Sequence, residues 1–149
     1  MIPSTYTAMA LVEGSRVLQP ITRTTVPLPS RHIRLRVHAC GVCRTDLHLV
    51  DGDLPPHGLP RVPGHEIVGT VVECAPDVTL HRVGERVGVP WLGNTCGTCP
   101  QCRRRQENLC RSATFTGWTV DGGYAEYAVA HEDYSFALPP GYDDVEAAP

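Results

Sequence analysis

The segment IVGTVVE, residues 67–73, is nearly all apolar or β-branched, which is typical of a strand in the interior of a sheet. Residues 32–38, HIRLRVH, alternate apolar and polar side chains and predict a half-buried strand. Four more segments have strand character: YTAMALV (6–12), VLQPIT (17–22), ERVGVP (85–90) and YAEYAVA (124–130). Many short strands separated by turn signals predict a mainly β fold, either a barrel or a sandwich.

Helical segments are few. Residues 43–50, CRTDLHLV, are long enough for one or two helical turns, and DDVEAAP (143–149) begins like a helix with Asp143 or Asp144 as its cap. The 149 residues correspond to one domain. No G-x-G-x-x-G motif follows a strand, so the sequence predicts no nucleotide-binding βαβ unit in these residues.

The charge of the chain is nearly balanced. A net charge of −3 predicts neither a nucleic-acid nor a membrane partner, and Arg103 to Arg105 are interpreted as a solvated basic loop because no aromatic residues are interleaved with them. No stretch approaches the roughly 18 apolar residues of a membrane span. Residues 1–11 lack the pattern of a signal peptide. The sequence therefore predicts a cytoplasmic protein, in which clustered cysteines favour metal over disulfide.

Four of the seven cysteines lie within fifteen residues, CGTCPQCRRRQENLC. The spacing C-x2-C-x2-C-x7-C of Cys96, Cys99, Cys102 and Cys110 lets several sulfurs converge on one ion, and four thiolates satisfy a tetrahedral zinc completely. The spacing thus predicts a closed, structural zinc site without a catalytic position. An iron–sulfur cluster and redox-active thiols remain open alternatives.

A second group of metal-ligand types lies upstream, where Cys43 is followed by His65 and Glu66. A thiolate and an imidazole from two segments, with one further ligand, leave a zinc ion one open position for Lewis-acid chemistry. Spacing alone leaves open that these are ordinary structural residues. Cys40 and Cys74 are predicted to be small core residues, and a structural, hydrogen-bonded role is predicted for five histidines: His32, His38, His57, His81 and His131.

Three motifs occur together: GVCRTDLH at 41–48, PGHEIVGTV at 63–71 and the four-cysteine loop. This combination resembles the N-terminal catalytic, GroES-like domain of zinc-dependent alcohol dehydrogenases of the medium-chain dehydrogenase/reductase family, from about residue 7 to residue 149. The resemblance implies one domain over residues 1–149: a GroES-like β-barrel with few short helices, a structural zinc loop at 91–111 and no Rossmann domain. It also implies two zinc sites.

The resemblance implies a metal role for residues of the second group. Cys43 and His65 correspond to ligands of the catalytic zinc, and Glu66 to the carboxylate that lies near it or coordinates it transiently. Asp46 corresponds to the residue that hydrogen-bonds the other nitrogen of His65 and fixes its tautomer.

The resemblance also implies a proton relay. Thr45 would take the proton of the alcohol and His48 would pass it towards solvent, although Thr45 could instead cap a short helix and His48 could be structural. Arg44 corresponds to a position that contacts the cofactor pyrophosphate in part of the family. Trp91 resembles an aromatic position of the substrate pocket, with an ordinary core role as the alternative.

The implied reaction is oxidation of a primary or simple secondary alcohol to an aldehyde or ketone, with hydride passing to NAD or NADP and the full-length enzyme forming a homo-oligomer. The family's third catalytic ligand is a cysteine beyond an EAAP-like stretch, which is where this sequence stops at Pro149. We therefore expect an incomplete catalytic site and an inactive isolated chain. Two alternatives are a zinc-stapled β-barrel scaffold and a zinc-ribbon nucleic-acid-binding protein; the net charge of −3 argues against the second.

Overall fold

The computed structural model describes residues 1–148, so Pro149, the last residue of the predicted terminal helix, lies outside it. Within these residues the chain forms nine strands, two α-helices and two single 3₁₀ turns. The elements are β1 (Thr5–Ala10), β2 (Gln19–Thr24), β3 (His32–Cys40), α1 (Arg44–Asp51), β4 (Ile67–Cys74), β5 (Arg86–Val89), β6 (Leu92–Asn94), α2 (Pro100–Arg103), β7 (Thr114–Phe115), β8 (Tyr127–His131) and β9 (Phe136–Ala137), with 3₁₀ turns at Glu107–Leu109 and Glu132–Tyr134.

The central sheet has five strands in the order β8-β3-β4-β5-β9, and every neighbouring pair is antiparallel. Two smaller antiparallel ribbons, β1–β2 and β6–β7, flank it. An Ala8–Ala125 bridge connects the first ribbon to the segment before β8. The mainly β fold predicted from the sequence is confirmed, and residues 1–148 contain no parallel βαβ unit.

The core follows from the alternation of side chains along these strands. Its buried members are Ile33, Leu35, Ile67, Val71, Val87, Val89, Ala128 and Ala130. Cys40 and Cys74 are partly buried and pack against this cluster, as predicted. The near-continuous apolar character of residues 67–73 is explained because β4 is an interior strand, paired on both sides.

Arg34 departs from the simple alternation predicted for β3. Its residue exposure is only 1%, although it lies between the buried residues Ile33 and Leu35. The register shift between Arg34 and Leu35 adds a residue to β4 and not to β3, so Arg34 stays on the face of β3 opposite Ile33 and Leu35. That face is covered as well, and the Arg34 Nη2 donates to the Val26 carbonyl there. The Arg34 Nε donates a 2.8 Å hydrogen bond to Glu73, so the buried guanidinium is paired. By contrast, Arg36 is exposed as expected.

Both segments predicted to be helical contain helical structure: the first forms an α-helix and the second a single turn. The first is α1, which ends at Gly52 in the left-handed conformation, with φ of 86°. In the second, the Asp143 carboxylate accepts hydrogen bonds from the N–H groups of Val145 and Glu146, at 2.9 and 2.8 Å, and caps a single turn. Among residues 1–148 the longest helix has eight residues, too few to cross a bilayer.

Candidate metal centres

The four clustered cysteines converge in the loop between β6 and β7. Cys99 immediately precedes α2 and Cys102 lies within it, while Cys96 and Cys110 lie on either side. The sulfur of Cys102 lies 3.5 Å from that of Cys99 and 4.0 Å from that of Cys96. A zinc–sulfur tetrahedron with bonds of about 2.3 Å has edges of about 3.8 Å, so the arrangement fits one tetrahedral ion.

Backbone N–H groups surround these sulfurs. The Cys99 N–H donates to the Cys96 sulfur at 3.4 Å, and the Cys96 N–H donates to the Cys110 sulfur at 3.5 Å. Hydrogen bonds from the backbone of Thr98 and Cys99 lower the pKa of Cys96 to about 6. Burial instead raises the pKa of Cys102 to about 11. The loop thus stabilises thiolate at its outer sulfur, and a cation would favour ionisation of the inner one.

A second cluster brings together Cys43, His65 and Glu66, whose ligand atoms all lie within 4.8 Å of one another. Cys43 precedes the first turn of α1, whereas His65 and Glu66 directly precede β4. Backbone and hydroxyl hydrogen bonds from Thr45 lower the pKa of Cys43. Two elements that are far apart in the sequence therefore deliver a thiolate, an imidazole and a carboxylate to one place.

His65 is buried beside Asp46. Its Nδ1 lies 3.6 Å from the Asp46 carboxylate, within ion-pair range but too far for a hydrogen bond, and it has no hydrogen-bond partner among residues 1–148. Burial favours neutral His65, but the proximity of Asp46 and Cys43 outweighs it and raises the His65 pKa. The structure brings the predicted Asp46–His65 pair together, and the hydrogen bond itself stays a prediction.

The helix-cap alternative for Thr45 is wrong. Cys43 holds the N-cap position and its N–H donates a 3.0 Å hydrogen bond to Asp46, while Thr45 is the second residue of α1. The Thr45 hydroxyl lies 3.8 Å from the Cys43 sulfur, at the edge of the second cluster. The Thr45 side chain therefore does not cap the helix.

The other predicted relay and cofactor residues lie on the same helix. His48 is partly exposed and its Nδ1 lies 3.1 Å from the Asp53 carboxylate. Arg44 is exposed at the first position of α1. Helix α1 thus carries Arg44, Thr45, Asp46 and His48 next to the Cys43 thiol.

Trp91 contacts the second cluster directly, since its ring centroid lies 4.9 Å from that of His65. It also stacks on Trp118 at 5.9 Å with an interplanar angle of 8°. A cavity of about 440 Å³ extends from His65 and Trp91 to Phe136. Trp91 is therefore a wall of this cavity as well as a member of an aromatic cluster.

The five histidines predicted to be structural have partners outside both clusters. The contacts are His32 Nδ1 with the Ser30 carbonyl, His38 with Asp144, His57 with the Trp118 ring, His81 with Glu85, and His131 Nδ1 with the Asp133 N–H. The sequence reading missed two residues near the second cluster, Trp118 and Tyr124. Neither is marked by a local motif, because Tyr124 contacts Asp46 and Trp118 stacks on Trp91 only through tertiary packing.

The fold and its sites define a mainly β domain with an antiparallel central sheet, a four-cysteine loop and a Cys–His–Glu cluster. Residues 29–140 match the family model described as the alcohol dehydrogenase GroES-like domain. The chain belongs to this alcohol dehydrogenase family.

Individual relatives agree with the family model. The chain is 50% identical over 133 residues to a protein named probable alcohol dehydrogenase AdhA of Mycobacterium tuberculosis, covering 86% of this chain and 38% of that protein. It is similar, with a TM-score of 0.87 and 30% identity, to a cobalt- and zinc-bound thermostable alcohol dehydrogenase from Pyrobaculum aerophilum, covering 97% of this chain and 43% of that one. A third similar structure is acetophenone reductase from Geotrichum candidum in complex with NAD, with a TM-score of 0.88 and 31% identity, covering 99% of this chain and 44% of that one. The chain thus spans less than half the length of these relatives.

Proposed function

We propose that the chain is the catalytic domain of a zinc-dependent alcohol dehydrogenase that oxidises a primary or simple secondary alcohol to an aldehyde or ketone with NAD or NADP. The observation that carries this proposal is the meeting of Cys43, His65 and Glu66 within 4.8 Å, beside the Thr45 hydroxyl. The domain is proposed to extend over residues 1–149, with the structural zinc loop at 91–111.

The two clusters are proposed to hold zinc in different ways. Cys96, Cys99, Cys102 and Cys110 supply four sulfurs, which fill a tetrahedral shell and brace the loop. Cys43 and His65, with Glu66 nearby, supply an incomplete shell that keeps a position for substrate. Zinc bound there would act as a Lewis acid that lowers the pKa of an alcohol hydroxyl.

The residues of α1 are proposed to handle the proton and the cofactor. The Thr45 hydroxyl accepts the proton of the alcohol, and His48, partly exposed, passes it to solvent. Asp46 holds His65 in one orientation. The exposed Arg44 guanidinium offers a donor pair for a pyrophosphate oxygen. Trp91, in contact with His65, restricts water and shapes the substrate cavity.

The cofactor and assembly also belong to the proposal. The similar acetophenone reductase structure is a complex with NAD, which supports a nicotinamide cofactor for this chain. The choice between NAD and NADP depends on residues that select the ribose substituent. We further propose that the enzyme is cytoplasmic, since reduced thiolates on zinc suit a reducing compartment. We also propose that the enzyme is a homo-oligomer, as the family resemblance implies.

The test compares two polypeptides: residues 1–149 alone and the longest polypeptide encoded around them. Alcohol-dependent reduction of NAD⁺ and NADP⁺ is measured for both, with Cys43→Ala as the matched inactive variant. We expect activity only in the longer polypeptide, because the second cluster of residues 1–148 contains one cysteine where the resembled family uses two, and these residues form no nucleotide-binding βαβ unit. Activity of residues 1–149 alone would contradict the proposed incompleteness. A folded, zinc-loaded longer polypeptide without activity would instead support the scaffold alternative.

A further inference from the structure

The Asp46 carboxylate is held by three donors from three different parts of the chain. One oxygen accepts the Cys43 N–H at 3.0 Å and the Tyr124 hydroxyl at 3.0 Å. The other accepts the Gly64 N–H at 2.9 Å and faces His65 Nδ1 at 3.6 Å. Three donors restrict the rotation of the carboxylate. The oxygen that accepts from Gly64 is thereby kept beside His65 Nδ1.

Tyr124 reaches Asp46 because the chain before β8 lies tightly against the chain before β4. The Tyr124 N–H donates to the Pro63 carbonyl at 3.0 Å, and the Gly123 N–H donates to the Gly64 carbonyl at 2.9 Å. Gly64 has a φ of +95°, and a Cβ there would lie 2.7 Å from the Tyr124 ring. The absence of a side chain at Gly64 therefore gives the tyrosine ring its path to Asp46.

The tyrosine hydroxyl acts as a donor in this contact. Burial, followed by the nearby Asp46 charge, raises the pKa of Tyr124 well above its usual range. A protonated phenol can only donate to a carboxylate. The Tyr124 hydroxyl has two acceptors, the Asp46 carboxylate at 3.0 Å and the Gly41 carbonyl at 3.3 Å, and the carboxylate is the nearer.

We propose that Tyr124 is a positioning residue whose hydroxyl fixes the Asp46 carboxylate and, through it, the orientation and tautomer of His65. The Nδ1 proton then stays on the side of Asp46, and Nε2 keeps its lone pair for a metal ion. The metal part of this inference rests on the proposed function, whereas the effect on the His65 ring does not.

The first test needs no bound metal at the second cluster. Nitrogen-15 spectra of the His65 ring are compared between the 149-residue chain with zinc only at its four cysteines and its Tyr124→Phe variant. Phenylalanine keeps the ring packing on Gly64 and removes only the hydroxyl. We expect the Nε2-protonated tautomer of His65 to gain at least about twofold in the variant, the low end of what one hydrogen bond contributes. An unchanged tautomer ratio would overturn the proposal.

The matched control is Tyr127→Phe, which removes a hydroxyl in β8 from a ring that packs edge-on against Tyr6 at 5.6 Å. It should leave the His65 spectrum unchanged. A double-mutant cycle with Asp46→Asn tests whether Tyr124 acts on His65 through the Asp46 carboxylate. The effect of Tyr124→Phe on the His65 spectrum should largely vanish once the carboxylate is gone. Equal effects in both backgrounds would show that Tyr124 acts by packing alone.

The second test uses Co²⁺ as the probe at the second cluster, with zinc retained at the four cysteines as evidence of folding. We expect Tyr124→Phe to weaken Co²⁺ binding by about threefold or more, less than the 10- to 100-fold typical of residues that contact a ligand directly. Failure of the wild-type 149-residue chain to bind Co²⁺ at Cys43 and His65 would agree with the incomplete site proposed for it. The His65 spectra would still decide the role of Tyr124.

Discussion

The sulfur atoms of Cys96 and Cys110 lie 3.6 Å apart although 14 residues separate them in the sequence. The polypeptide between them folds back through α2, which adds the sulfur of Cys102 from inside the loop. This fold of the loop brings four sulfurs together, and a divalent cation would favour their ionisation and offset the repulsion between the resulting thiolates. The four-cysteine loop therefore depends on its metal, whereas the central sheet has a core of its own.

We predict one tightly bound zinc ion per 149-residue chain, held by the four-cysteine loop. Cys110→Ser should weaken zinc binding by more than about 100-fold, because it removes a ligand and not merely an outer partner. The matched control is Cys74→Ser, since Cys74 lies at the end of β4 outside both clusters. Elemental analysis after dialysis against a chelator measures the difference. Two tightly bound zinc ions, or iron with visible absorbance, would contradict the prediction.

We predict that Thr45→Ala changes activity without changing stability. The Asp46 carboxylate, not Thr45, caps α1, so the free energy of unfolding should change by less than about 0.5 kcal/mol. In a polypeptide that shows the proposed activity, kcat should fall by about 10²- to 10⁴-fold, the usual contribution of a proton-transfer group. Thr45→Ser keeps the hydroxyl and should retain most of the activity. Loss of stability with unchanged kcat would refute the relay role.

We predict that Glu132 controls part of the acid denaturation of the domain. Burial raises its pKa, but hydrogen bonds from Arg31 and the backbone of Thr79 and Leu80 outweigh this and lower the pKa from 4.5 to about 2. Because the folded-state pKa is depressed, the stabilisation is fully present above pH 4.5 and is lost as the pH falls towards 2.

Glu132→Gln should therefore lower the free energy of unfolding at pH 7 by about 1.5–3 kcal/mol and flatten its decline in acid. Chemical denaturation at several pH values measures both effects. Asp133→Asn is the control, since Asp133 pairs with the same Arg31 but its side chain is 40% exposed, and its cost should stay below about 1 kcal/mol. Parallel pH profiles for Glu132→Gln and the wild type would disprove the assignment.

We predict that Arg34 stabilises the domain although it is a charged residue in the core. Arg34→Ala removes a side chain that is 2% exposed together with its 2.8 Å ion pair to Glu73, and should cost about 2–5 kcal/mol by lost packing and hydrogen bonding. Arg36→Ala, two residues along the same strand on an exposed site, should cost less than about 0.5 kcal/mol. Thermal melts of both variants provide the comparison, and equal midpoints would show that burial of Arg34 contributes nothing.

Local patterns were sufficient for six of the nine strands, because side chains alternate along a strand whatever it pairs with. The strands β6, β7 and β9 have only two or three residues, too few to show an alternation, and were not predicted. The segments at 32–38, 67–73 and 124–130 all contain strands of the central sheet. The burial of Arg34 was not predictable, because it depends on what covers the second face of β3, where its guanidinium donates to the Val26 carbonyl. Periodicity along one strand carries no information about what packs on its second face.

The four-cysteine site could be read from spacing because all of its ligands lie in one short loop, and a short loop has few ways to place four sulfurs. The second cluster is different. Cys43 and His65 are joined by the helix α1 and a long loop, and spacing alone left open whether they form a metal pair; the family resemblance, not geometry, paired them. The structure shows that the ligand atoms of Cys43 and His65 lie within 4.8 Å of each other.

The sequence by itself determined the strand pattern, the closed four-thiolate loop and the residue types available for chemistry, because each depends on neighbours within a few residues. Only the tertiary structure decided that Arg34 is buried, that Cys43 meets His65 and Glu66, and that Tyr124 meets Asp46 from 78 residues away. Those outcomes depend on how sheet and loops pack against each other. Packing sums many weak long-range contacts that no single stretch of sequence encodes.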